Sequence, residues 1–366
     1  MSPSQATLRS VFDRLHDEGL TGEREAGAAS DYLESRSFIA PWYIRTMVGF
    51  GAWLASLLLI GFIAGFSIAM EGGYAIIGIL FITGAVFFRH QSNSDFVVQS
   101  SLAVSLAGQA LFAWGFTDVT GNEVKGFLAA VASMSLLLFF ILPDRIHRVL
   151  MVLFFTGSLI GLTYAWEWNA LVPLYGPVFA ALLVYLYQQR GVLFASRFGR
   201  FVQPLVNGLL LSAFGALLLS TIYVLPELGD ELNYYPRPWI STIGLGVLFL
   251  YMGSLVWPKL VSDAGKPAMV LLYALMLAVI AGAWNAPGLL LAMIVVMLGA
   301  SAGHRTFIGA GIAFLAVFIA AYFYGIEMTM LTKSITLVAT GSVVLLARWL
   351  ILKVVDVPGS DGGRHA

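Results

Sequence analysis

The chain has 366 residues, of which 59% are hydrophobic and only 11% charged. Soluble domains carry about 25% charged residues, so this composition belongs to a membrane protein. A net charge of zero argues against nucleic acid as a partner, and the lack of cysteine excludes disulfides, thiolate metal sites, iron–sulfur clusters and cysteine nucleophiles.

The first 40 residues are polar and hold no short apolar core with a cleavage site, so no cleaved signal peptide is expected. Within them "PSQATLRSVFDRLHDEGLTGEREAGAASDYLESR" reads as two short helices. Leu8, Val11, Phe12 and Leu15 share one apolar face, Gly19 fits a C-cap and Thr21 an N-cap. That face suits packing against the inner loops, or a regulatory or partner-binding helix.

Apolar runs long enough to cross about 30 Å of hydrocarbon follow. They fall at 46–69, 72–88, 96–116, 125–142, 147–165, 169–187, 203–226, 238–256, 267–284, 286–302, 304–325 and 328–349. The expected fold is an all-α polytopic helical membrane protein of about twelve transmembrane helices. The domain division is a cytoplasmic segment over 1–40, a transmembrane domain over 41–352 and a disordered cytoplasmic tail over 353–366. One hairpin, 267–302, is tight and turns on Asn285-Ala286-Pro287.

Charge orients these spans. With the N-terminus cytoplasmic, every Lys and Arg except Lys125, Arg237 and Lys333 falls on the inner side. This is the positive-inside bias, and its alternation implies an even span count with both termini cytoplasmic. The outer side holds Glu71, Asp118, Glu123, Glu167, Glu227, Asp230, Glu231 and Glu327. Interleaved with them are Trp114, Trp166, Trp168, Tyr234, Tyr235, Trp239, Trp284 and Tyr324. Two readings stand: an aromatic belt at the outer interface, or a docking surface for a protein partner, since aromatics are enriched in interface cores. The loop "PELGDELNYYPRPW" (226–239), with Tyr234, Tyr235 and Trp239, is the leading candidate for partner binding.

Motifs for chemistry are missing. The sequence contains no phosphate-binding glycine loop, nucleophile elbow or metalloprotease helix, so neither an enzyme nor a cofactor is expected. All five histidines (His16, His90, His147, His304, His365) fall on the inner side. Three adjoin an arginine at a helix end, where interfacial anchoring accounts for them without a metal. No Asp or Glu lies well inside a span, which counts against proton-coupled transport. Gln99, Gln109 and Asn207 are the buried polar candidates, of a kind that joins neighbouring helices by hydrogen bonds. Spaced glycines (Gly61 and Gly65, Gly157 and Gly161, Gly299 and Gly303) permit close helix contact. Repeated Ala-Trp tips (Ala113-Trp114, Ala165-Trp166, Ala283-Trp284) are a faint sign of the internal duplication found in transporters.

The last span carries a charge. Lys333 lies five residues beyond Met328, about 8 Å along a helix at 1.5 Å per residue. It can snorkel to the outer interface, or pair with Glu327 or another outer carboxylate. Ser334, Val338, Gly341, Leu345 and Arg348 form a stripe one step round the helix from it. Glu327, Lys333, Ser334 and Tyr324 are therefore the candidate functional residues of this segment.

"PWYIRTMVGFGAWLASLLLIGF" (41–62) and "YFYGIEMTMLTKSITLVATGSVVLLAR" (322–348) resemble the ends of an uncharacterised family of bacterial inner-membrane proteins, known only as a domain of unknown function. The closing pattern is carried by Tyr322, Tyr324, Leu331, Lys333, Ser334, Gly341 and Arg348. Phe323 and Gly325-Ile326 depart from it. The resemblance implies a multi-pass protein of the bacterial inner membrane. It also implies a partner: a small membrane-anchored protein with a periplasmic domain, named after its GDYXXLXY motif and encoded next to this family. No activity comes with it. The expectation is a non-enzymatic component of a membrane complex binding that periplasm-exposed partner, with a transporter or flippase for a small or lipidic solute as the alternative.

Overall fold

The computed structural model describes residues 73–91, 95–121, 123–222, 237–260 and 265–325, with Met47, Phe50, Gly51, Leu54, Ala55, Leu58, Gly61, Leu331, Ser334 and Val338 besides. Among these residues every regular element is a helix: α1 (Tyr74–Gln91), α2 (Asp95–Thr120), α3 (Glu123–Ile141), α4 (Arg145–Ala165), a 3-10 turn (Asn169–Leu171), α5 (Val172–Gln188), α6 (Arg190–Ala195), α7 (Gly199–Ile222), α8 (Pro238–Leu260), α9 (Gly265–Gly282), α10 (Pro287–Ser301) and α11 (Arg305–Gly325). The expected apolar runs from 72–88 to 304–325 each coincide with one helix. Seven described helices are long and apolar enough to cross a membrane; the apolar stretches Met269–Gly282, Pro287–Ser301 and Arg305–Ala321 are shorter.

Local chemistry sets the helix ends. Asp144 caps α4, accepting the His147 amide at 2.9 Å, as N-cap carboxylates do. Pro287 opens α10 in its first turn, where a missing N–H costs nothing. The 267–302 hairpin is therefore two helices. Gly303, at φ +65, ends α10: His304 N–H reaches the Gly299 carbonyl at 2.8 Å and Gly303 N–H that of Ala300 at 3.2 Å. This is the Schellman arrangement, which calls for glycine at its left-handed position.

The chain divides into two compact units, 1–111 and 112–366. In the first, α1 meets the middle of α2 closely: a Cβ on Gly108 would lie 2.8 Å from the Gly78 carbonyl oxygen. Ile82, Ala85, Ala103 and Ala107 are buried there. In the second, α3 packs on α4, α4 and α5 both on α7, α5 on α8, α8 on α10, and α10 on α11. α10 is apolar all round, with Leu290, Leu291, Ile294, Val295 and Leu298 buried, so it occupies the core. Gly288 lets it approach α11, since a Cβ there would fall inside the Phe318 ring. The glycine expectation holds at Gly299 and Gly161, which abut Ile308 and Leu128; Gly157 faces open space.

Pro177 and Pro204 lie inside α5 and α7, and each frees a carbonyl four residues back. Pro177 of α5 leaves the Pro173 carbonyl without its helical donor; Ser241 of α8 supplies one at 2.6 Å. Pro204 of α7 frees the Arg200 carbonyl; Arg148 of α4 donates to it at 3.3 Å. In hydrocarbon such replacements are required, because no water satisfies the orphaned group.

Candidate functional site

Contacts between helix ends sort the polar residues of the second unit into two groups. The basic end holds Arg145, Arg148, Arg190, Arg197, Arg200 and Arg305. The opposite end holds Trp166, Trp168, Trp239 and Trp284, all exposed.

The tryptophan end is tied together by α8. Ser241 bonds the start of α5, and Thr242 donates to the Trp284 carbonyl at 2.8 Å and the Ala283 carbonyl at 3.3 Å. These bonds bring Trp239 beside the α9–α10 turn and the entrance to α5. The α4–α5 tip has a second Schellman arrangement: Trp168 N–H to the Thr163 carbonyl and Glu167 N–H to that of Tyr164, both 2.9 Å. Its left-handed position, φ +63, is Glu167, the one non-glycine residue with positive φ among those described. A side chain there costs about 1–2 kcal/mol. The turn places Glu167 between Trp166 and Trp168, whose rings pack at 5.4 Å. Trp168 is 58% and Trp239 43% exposed.

The basic end is built on Arg148, 4% exposed. Its Nε donates to the Phe139 carbonyl at 3.1 Å in the last turn of α3, and its Nη1 to the Arg200 carbonyl. Its guanidinium sits 4.5 Å from the centre of the Phe201 ring. One cation thus closes a helix C-terminus, satisfies a proline-freed carbonyl and stacks on an aromatic. His147 is buried as well. The pair His147-Arg148, expected as an interfacial anchor, is buried, and Arg148 joins α3, α4 and α7. No group of three metal-ligating side chains occurs among the described residues.

Between the ends runs a groove of about 720 Å³. Its walls are exposed residues of α3 (Leu136, Phe140) and α5 (Leu174, Val178, Leu182, Tyr185); its floor is Met151, Val152 and Thr156 of α4 and Leu205 and Leu209 of α7. Two of the hydroxyls that line it bond across helices: Thr156 with Ser212 at 2.7 Å, Tyr175 with Thr163 at 2.6 Å. Ser135, 0% exposed, has no partner for its hydroxyl among the described residues.

Two of the three amides expected to join helices bond within their own: Gln109 donates to Ser105 and Asn207 accepts from Gln203, each one turn away. Hydroxyls of Thr156, Ser212, Thr163, Tyr175, Ser241 and Thr242 do the cross-helix bonding instead. Of the candidate residues, Trp239 is at the tryptophan end and Ser334 is helical and exposed. Lys333, Glu327, Tyr234, Tyr235 and the Tyr324 side chain lie outside the described residues, as do Leu8, Val11, Phe12, Leu15 and the tail 353–366.

Helices this apolar, exposing Phe87, Phe88, Leu136 and Phe140 along their sides, define a multi-pass helical membrane protein. The chain belongs to the family described as a domain of unknown function, DUF4401, which it matches over residues 41–354. Both stretches carrying the resemblance, 41–62 and 322–348, fall within that match. No curated protein and no solved structure matches the chain.

Proposed function

We propose that this protein is a non-enzymatic component of a complex in the bacterial inner membrane. In this reading it spans the bilayer twelve times with both termini cytoplasmic, and its tryptophan end faces the periplasm. There it binds a small membrane-anchored protein with a periplasmic domain. The observation that carries the reading is Glu167, held in a left-handed conformation between two exposed tryptophans. Backbone strain of this kind collects where function requires a particular side chain, and an acid flanked by aromatics has the composition of a contact surface. Aromatic anchors carry about 2 kcal/mol or more each where they are true hot spots.

The test is co-purification from native membranes. Trp168→Ala with Trp239→Ala should remove a protein that accompanies the parent chain, with insertion unchanged. Retention of that protein would reduce the tryptophans to an interfacial belt. The orientation is tested separately: reporters fused at Gly191 and the C-terminus should read cytoplasmic, and a periplasmic C-terminus would contradict an even span count. A second reading, a carrier or flippase for a lipidic solute, is favoured by the apolar groove; the groove's lining gives no support to a polar solute.

A further inference from the structure

The geometry points to the groove between α3 and α5 as a binding site for one acyl chain of a phospholipid, whose anionic headgroup rests at the basic end. Length comes first. From Leu174 to Leu186, both lining residues on α5, is twelve steps, about 18 Å at 1.5 Å per residue. One leaflet of a hydrocarbon core about 30 Å thick is about 15 Å deep, so the groove accepts an extended chain over its full length. The lining is chemically matched to hydrocarbon, with Leu, Val and Phe side chains along both walls.

Charge selects the headgroup. The groove ends against Phe139 and Phe140, whose rings pack on Phe201 at 5.6 and 5.4 Å. The guanidinium groups of Arg148 and Arg200 lie 4.5 and 4.7 Å from that same ring centre. Arg148 is spent on two carbonyls, but Arg145, Arg197 and Arg200 are exposed. The only described carboxylate of the second unit at this end is Asp144, engaged as the α4 cap. The short helix α6 adds exposed Val192 and Phe194 beside these arginines, the mixture that seats a segment among anionic headgroups. An anionic phosphate diester with one of its acyl tails in the groove satisfies both ends. The assignment concerns binding alone and stands independently of the partner proposed above.

The experiment is native mass spectrometry of the full-length protein, delipidated and then offered phosphatidylglycerol, phosphatidylethanolamine of the same chains, or inorganic phosphate. One phosphatidylglycerol should be retained, at least tenfold more tightly than phosphatidylethanolamine. Leu182→Trp and, from the opposite wall, Leu136→Trp put bulk into the groove at half-exposed positions and should each abolish that adduct. Thermal unfolding verifies that the variants remain folded, and one folded variant suffices. Arg197→Gln with Arg200→Gln should erase the headgroup preference while the chain still binds. Equal retention in parent and groove-filled variants would place the lipid elsewhere and overturn the assignment. Stabilisation by inorganic phosphate equal to that by phosphatidylglycerol, or no retained lipid, would overturn it too.

Discussion

Replacing Arg148 by methionine keeps its aliphatic stem and removes the cation that joins α3, α4 and α7 at the basic end. Two hydrogen bonds are lost, to Phe139 at 3.1 Å and Arg200 at 3.3 Å, with the stack on Phe201. Bonds from a charged donor contribute about 1.5–3 kcal/mol each in water-soluble proteins. Cross-helix bonds in membranes average about 0.6 and reach about 1.7 kcal/mol, because the unfolded chain in lipid also finds partners. The cation–π contact adds about 0.5–1 kcal/mol. Two such bonds, taken from the membrane average to its maximum, together with the cation–π contact give an expected loss of about 2–4 kcal/mol. The cause can be isolated. The Arg200 carbonyl needs Arg148 only because Pro204 has no N–H, so Pro204→Ala restores the helical donor. In that background Arg148→Met should cost about 1 kcal/mol less, a coupling that a double-mutant cycle measures directly. Unfolding in mixed micelles titrated with denaturing detergent reads both quantities. A loss under about 0.5 kcal/mol, or the same loss with and without Pro204, would refute the clamp.

The same logic applies to α5: Ser241→Ala should destabilise by about 0.6–1.7 kcal/mol, and Pro177→Ala should relieve part of that loss in the same unfolding assay. Glu167→Gly should raise stability by about 1 kcal/mol by removing the left-handed side chain, while weakening co-purification of the partner; a stability gain with full co-purification would leave the strain without a role. Lys333→Met is expected to lower partner binding with insertion unchanged and Lys333→Arg to keep part of it, because the charge persists in a different geometry. Full tolerance of methionine in co-purification would make Lys333 a snorkelling anchor.

The helices were legible because apolar runs of this length have few other uses, and the 267–302 hairpin because Pro287 marks a first turn. Gly303, read as a small residue for helix contact, instead ends α10 in the left-handed conformation that glycine accepts. Glu167 hid an identical turn, since Trp-Glu-Trp resembles any solvated tip. Arg148 looked like a helix-end cation. Its true role depends on a carbonyl 52 residues away, which Pro204 marks as orphaned but for which no sequence pattern names the donor. Amides were over-weighted for a similar reason: Gln109 and Asn207 find partners one turn away, and hydroxyl side chains do the bridging. The groove arises from four helices at once and has no linear signature; its walls read only as further apolar faces.

Site-specific photo-crosslinking in living cells reaches the central claim most directly. A photoreactive phenylalanine at Trp168, at Trp239 and, at the opposite end, at Phe194 samples both ends of the second unit. The account predicts one discrete adduct from Trp168 and Trp239, containing a membrane-anchored protein with a periplasmic domain, and none of that adduct from Phe194. Crosslinks to lipid alone from the tryptophan positions, or the same protein captured from Phe194, would contradict it.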